Sequence, residues 1–149
     1  MSVPKSLRKE GKLEAQTLAY AFAAHTDRIC SNERCFQKRN RWCTTTEIVQ
    51  MGHKIAIAID MANVTRLENP RRLELQNEAL EATYAIETLM EIAYRENLNS
   101  EGNPTIPDEK IEYWVKLLLA LRSKIRRWRD GDKKRLKAKE DGEQPSAYA

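Results

Sequence analysis

Glycine and proline are scarce, five of each in 149 residues, and no stretch carries a strand signal. Ala, Leu, Glu, Lys and Arg are abundant by contrast. They lose little side-chain freedom in a helix, so long helices are expected. Cysteine is scarce too: three thiols, an odd number in no dense framework, fit a reducing compartment better than a disulfide scaffold. No window approaches about 20 continuous apolar residues, and the cations of residues 1–12 lead into no apolar run of signal-peptide type. The expectation is a cytoplasmic protein with no membrane partner. Also missing are a glycine-rich phosphate loop, a His-Glu-x-x-His helix and a nucleophile elbow. No nucleophile, base and orienting group can be named together, so a protein that is not an enzyme and carries no cofactor is expected. His25, Cys30, Cys35 and Cys43 could be drawn as a zinc set. With four, four and seven residues between them and no close Cys-x-x-Cys pair, their spacing argues against a metal.

What is present is helical period and unevenly placed charge. A chain of this length holds one core and not two. Residues 1–11 read as a basic N-terminal arm. A first helix from about Lys12 to Asn32 has the seam Ala15, Leu18, Phe22, His25 and Ile29, in steps of three and four. A histidine on such a face is expected to be a hydrogen-bonded core residue. Thr44 and Glu47 have capping-box spacing, so a second helix is expected from about Thr45 to Arg66, with Ile48, Gly52, Ile55, Ile59 and Ala62 inward. Gly52 suggests close helix approach. Ile57, Met61 and Val64 lie off that seam and suggest that a second face is covered. Asn69-Pro70 reads as a cap and a first-turn proline for a third helix reaching about Asn97. It carries one seam of Leu75, Ala79, Ala82, Ile86, Leu89 and Ala93, and another of Gln76, Leu80, Thr83, Glu87, Met90 and Tyr94. Residues 98–106 are a loop. Pro107 opens a fourth helix as its first residue, with Asp108 and Glu109 at the positive dipole end, and Lys139 closes it. Residues 140–149 read as a disordered tail. The fold class is all-α: an antiparallel up-down-up-down four-helix bundle over 12–139.

The fourth helix is asymmetric along its length. Its seam is Ile111, Trp114, Leu118, Leu121, Ile125 and Trp128, and Val115, Leu117 and Leu119 widen the apolar arc to about 200°, more than one core face needs. That predicts an oligomer, with Arg122 and Arg129, which fall inside the arc, facing its rim or a carboxylate such as Glu87. From Arg122 to Lys139 ten cations (Arg122, Lys124, Arg126, Arg127, Arg129, Lys133, Lys134, Arg135, Lys137, Lys139) stand against Asp130 and Asp132, a formal net of +8 in a chain whose total is +4. From Glu68 to Glu101, eight glutamates against three arginines give −5. Such a dipolar chain should meet an anionic partner on one side and a basic one on the other. A link from Glu33 to Thr44 adds Arg34, Lys38, Arg39 and Arg41 with Phe36 and Trp42 between them. It is either an exposed connection anchored by its two aromatics or a second phosphate-contacting patch.

Several segments, taken in order, resemble a family. They are Ser2-Val3-Pro4-Lys5-Ser6, Lys12-Leu13-Glu14-Ala15, Ile29-Cys30-Ser31-Asn32-Glu33, Lys38-Arg39, Arg41-Trp42-Cys43 and Ala62-Asn63, followed by Ala82-Thr83-Tyr84, Ile92-Ala93-Tyr94-Arg95 and Trp128-Arg129, with Asp132 and Arg135. The chain resembles the accessory variability determinants of diversity-generating retroelements, four-helix proteins related to those of ribosomal-RNA intervening sequences. The resemblance implies a homopentameric barrel with a basic surface. That barrel binds the reverse transcriptase together with RNA or DNA, and supports mutagenic cDNA synthesis and retrohoming without catalysis of its own. Lys38, Arg39, Arg41, Arg129 and Arg135 are the basic matches; Arg122, Lys124, Arg126, Arg127, Lys133 and Lys134 join them as binding candidates by charge and position. Trp42 and Trp128 match as well and are expected to be structural. The alternative is a protein-only helical scaffold whose basic end docks an acidic partner.

Overall fold

The computed structural model describes residues 13–36 and 44–147, with side chains to residue 142. Four helices form: α1 (Glu14–Ser31), α2 (Thr46–Val64), α3 (Pro70–Glu96) and α4 (Asp108–Ala147). Among the described residues there is no strand; one isolated antiparallel bridge, Leu98 to Pro104, closes the loop between α3 and α4. In that loop Gly102 takes φ +83°, a left-handed conformation open to glycine at little cost. No described helix is long and apolar enough to cross a membrane.

Each helix packs on two others, α1 and α3 each lying against both α2 and α4. The seams read from the sequence supply the shared core: Phe22 and Ile29 of α1, Ile48, Ile55 and Ile59 of α2, Leu75 and Ile86 of α3, and Trp114, Leu118, Leu121 and Ile125 of α4 are buried. Both α3 seams face inward, because that helix is covered from two sides. At the centre the Trp114 indole N–H donates to the Thr26 hydroxyl at 2.8 Å, which itself donates to the Phe22 carbonyl at 2.6 Å. The largest core side chain thus has its polar atom satisfied. After α1, the Cys35 and Phe36 amides return to the Asn32 carbonyl at 3.0 and 2.9 Å, a turn that drops both side chains into the core.

Several sequence expectations are corrected. Thr44 does not cap α2; its hydroxyl donates to the Glu96 carboxylate at 2.9 Å, tying the start of α2 to the end of α3. Pro107 precedes the first turn of α4, its carbonyl accepting from the Lys110 and Ile111 amides, so Asp108 and not Pro107 is the first helical residue. Helix α4 continues past Lys139 to Ala147, where the sequence suggested a disordered tail, and it does so through both Gly142 and Pro145. His25 is half-buried rather than a hydrogen-bonded core residue. Its Nε2 has no hydrogen-bond partner, and its ring meets Tyr113 edge-on at 4.7 Å. Gly52 sits between α1 and α3, yet an added Cβ would find Ile86 and Thr26 at ordinary contact distances of 3.8 and 3.9 Å, so the approach is not one that only glycine permits. The cap on α3 is as expected: the Asn69 side chain accepts from the Arg71 amide at 2.9 Å.

Candidate nucleic-acid interface

The ten cations between Arg122 and Lys139 divide into two groups, and packing makes the division. Those on the inner and lateral sides of α4 are occupied. Arg122 is 8% exposed; its guanidinium donates to the Thr83 hydroxyl and carbonyl, both at 3.1 Å, and to Glu87 at 2.7 Å, and it lies 3.9 Å over the Tyr84 ring. This is the carboxylate option anticipated for it, and it also gives Glu87 its arginine. Lys124 pairs with Glu14. Arg129 contacts Asn77 and Asp130, both at 3.2 Å. Lys139 pairs with Glu68.

Arg135 belongs to a cluster that the sequence reading missed. Asp132 is 3% exposed and accepts from Arg72 Nε at 2.7 Å, from Gln76 Nε2 at 2.7 Å and from Arg135. Burial works against its charge, but the Arg72, Gln76 and Arg135 hydrogen bonds outweigh it and hold the carboxyl below the usual carboxylate range. Arg72 reaches the Thr65 carbonyl at 3.0 Å as well and stacks 5.3 Å from the half-buried Trp128 ring. One clasp therefore joins α3, α4 and the end of α2. The signal was available: Leu121, Ile125, Trp128 and Asp132 continue a single seam in steps of four, three and four, so Asp132 had to face inward and find donors.

The remaining cations point outward. Arg126, Arg127, Lys133, Lys134 and Lys137 are exposed and make no ion pair with any described residue. On a helical wheel they fall within an arc of about 120°, along about 16 Å of axis. Asp130 lies in the same arc, its charge offset by Arg129. The half-exposed Tyr84 ring borders the stripe, 5.6 Å from Arg126. Five exposed cations on one face can neutralise about five phosphates of a polyanion.

Lys38, Arg39, Arg41, Trp42 and Cys43 lie outside the described residues, as does the arm 1–11. The flanks of the link are nevertheless placed. Cys35 accepts from the Thr105 hydroxyl at 2.5 Å and Thr44 holds Glu96, so both are fixed at the end where α3 passes to α4. Arg126 lies about 27 Å along α4 from Asp108. The link's anchors and the α4 stripe are therefore at different levels of the molecule. Of the suggested metal set, Cys30 and Cys35 are buried, and burial, with Asp27 and Cys35 nearby, pushes the Cys30 thiol up to about 12, which opposes thiolate formation. Among the described residues no cluster of His, Cys, Asp or Glu is arranged to hold a metal ion.

Compared with known protein families and with curated protein sequences, the chain matches none.

Proposed function

We propose that the chain is a non-catalytic accessory protein of a diversity-generating retroelement, holding nucleic acid, template RNA or its cDNA, on the outer stripe of α4 while it binds the reverse transcriptase. The observation that carries the nucleic-acid half is the separation of Arg126, Arg127, Lys133, Lys134 and Lys137, outward and unpaired, from cations that the fold itself occupies. The retroelement and the polymerase rest on the sequence resemblance. Binding is electrostatic and blind to sequence: phosphates displace counterions onto the stripe, and protein contacts supply the second partner.

In this reading the helices alternate up and down, and copies close into a ring, five by the resemblance. The cleft between α3 and α4 supports self-association. It has a volume of about 690 Å³ and is lined by Met90, Ile92, Ile111 and Val115, with Glu87 at its edge. Tyr113 and Leu119 of α4 are exposed as well. Light scattering at micromolar concentration should show an oligomer; a monomer removes the ring from the proposal.

The test of function is the salt dependence of binding to labelled RNA and DNA. Five phosphate contacts give a slope of log affinity on log salt of about −4.5 for duplex and −3.5 for single strands, against about −9 if all ten cations took part. Reversing Arg126, Arg127, Lys133 and Lys134 to glutamate should abolish binding while helical content and cooperative unfolding persist. A pull-down of partners from cells that survives nuclease and needs only the basic residues would favour the scaffold that docks an acidic protein.

A further inference from the structure

The opposite charge pole has a shape of its own. On α2, Ile57, Met61 and Val64 follow steps of four and three and are 56, 47 and 83% exposed, while Ile48, Ile55 and Ile59 of the same helix are fully buried. This stripe is apolar and turned outward, and no described residue covers it. It lines up with Lys54, three residues before Ile57, and Lys54 lies in a groove between α2 and α3. One part of the groove, about 220 Å³, is bounded by Met51, Lys54, Glu78, Glu81, Ala82 and Ala85. A second part, about 610 Å³, shares Met51, Lys54 and Ala85 and adds Glu47, Thr88 and Leu89. The floor is apolar or small and the walls carry Glu47, Glu78 and Glu81 against Lys54. Glu74 and Glu78 are bridged by Arg71 at 3.2 and 3.1 Å, which leaves the net charge here negative.

We infer that the α2–α3 groove and the Ile57–Met61–Val64 stripe bind a basic amphipathic helix of a partner protein. From Glu47 to Val64 is about 25 Å, the length of a helix of roughly 17 residues. An apolar side would cover Ile57, Met61, Met51 and the alanine floor, and lysines or arginines flanking it would meet Glu47, Glu78 and Glu81, the helix-in-groove mode of recognition. Charge selects the occupant. An acidic helix or a nucleic acid is repelled from these walls, whereas a basic helix is attracted and brings apolar area to a surface that otherwise faces water. The inference rests on the protein-partner half of the adaptor reading and is independent of the α4 stripe, so nucleic acid and protein would be held on separate surfaces at once.

The probe is a synthetic 18-residue Leu/Lys amphipathic helix, fluorescently labelled, with a Leu/Glu peptide of the same apolar side as its counterpart, titrated with the full chain. The basic peptide should bind at least tenfold more tightly than the acidic one. E78K with E81K should weaken it at least tenfold, and Met61→Glu likewise, with circular dichroism unchanged. RNA binding by E78K/E81K should not weaken. Equal binding of the two peptides, or no effect of either variant, overturns the inference. Self-association that disappears in E78K/E81K overturns it in favour of a second copy. Loss of RNA binding on reversal of the α4 cations, read separately, tests the nucleic-acid reading and leaves peptide binding unchanged.

Discussion

Arg72 of α3 and Asp132 of α4 form an ion pair at 2.7 Å, with side chains 14% and 4% exposed, in the middle of the most basic stretch of the chain. The acid that reduces the local charge count is also what fastens the basic helix to its neighbour. Asp132→Ala leaves Arg72 with little water and no counter-charge, so a loss of about 3–5 kcal/mol is expected in urea denaturation. The pH dependence follows from the depressed carboxyl. Its contribution is complete above the unfolded value of about 3.9 and disappears as pH falls through the lower folded value. Asp132→Asn should flatten the acid limb of the stability curve below about pH 4.

Arg122 and Arg126 are four residues apart with opposite tasks. Arg122 is buried on Thr83 and Glu87, and since Glu87 is 43% exposed and can regain water, Arg122→Ala should cost about 2 kcal/mol. It should leave the salt slope of nucleic-acid binding unchanged in the folded protein. Arg126→Ala should move stability by no more than about 0.5 kcal/mol and reduce the slope by about one. If the two substitutions exchanged these effects in matched melts and binding titrations, the division of the cations would be wrong.

Gly52→Ala tests the packing of α2 on its neighbours. The added methyl meets Ile86 and Thr26 at ordinary distances, and alanine is favoured in a helix by about 1 kcal/mol. A rise in urea midpoint is expected; a fall would show that α1 and α3 cannot accept even this contact.

His25 offers a pH effect of its own. Burial, then Arg28 and Lys110, disfavour its charged form, so its folded pKa lies below the ordinary value. Stability from this source is complete above about pH 6.5 and is lost as pH falls toward the folded value. His25→Phe keeps an edge-on ring against Tyr113 and removes an unpartnered nitrogen, so unfolding midpoints at pH 7.5 and 5.5 should differ less than in the parent chain.

The sequence by itself determined the four helices, most of their inward residues and the cap at Asn69, because these depend on period and on local hydrogen bonding within a turn. It also put Glu87 and Arg122 within reach, since each lies on a semi-buried arc and a buried charge needs a partner. Tertiary structure alone decided the rest. Thr44 looked like a cap because capping is local, but Glu96, 52 residues on, takes its hydroxyl. Asp132 looked like one charge to subtract until Arg72 and Gln76, 60 and 56 residues away, enclosed it. The five outward cations of α4 could not be separated from their five occupied neighbours by composition, since all are the same residue types in one run. What distinguishes them is where the partners lie when the helices pack: Glu14 of α1, Asn77 and Glu87 of α3 and Glu68 of the α2–α3 turn reach Lys124, Arg129, Arg122 and Lys139, and Asp132, turned inward onto α3, holds Arg135, which is a property of the assembled bundle.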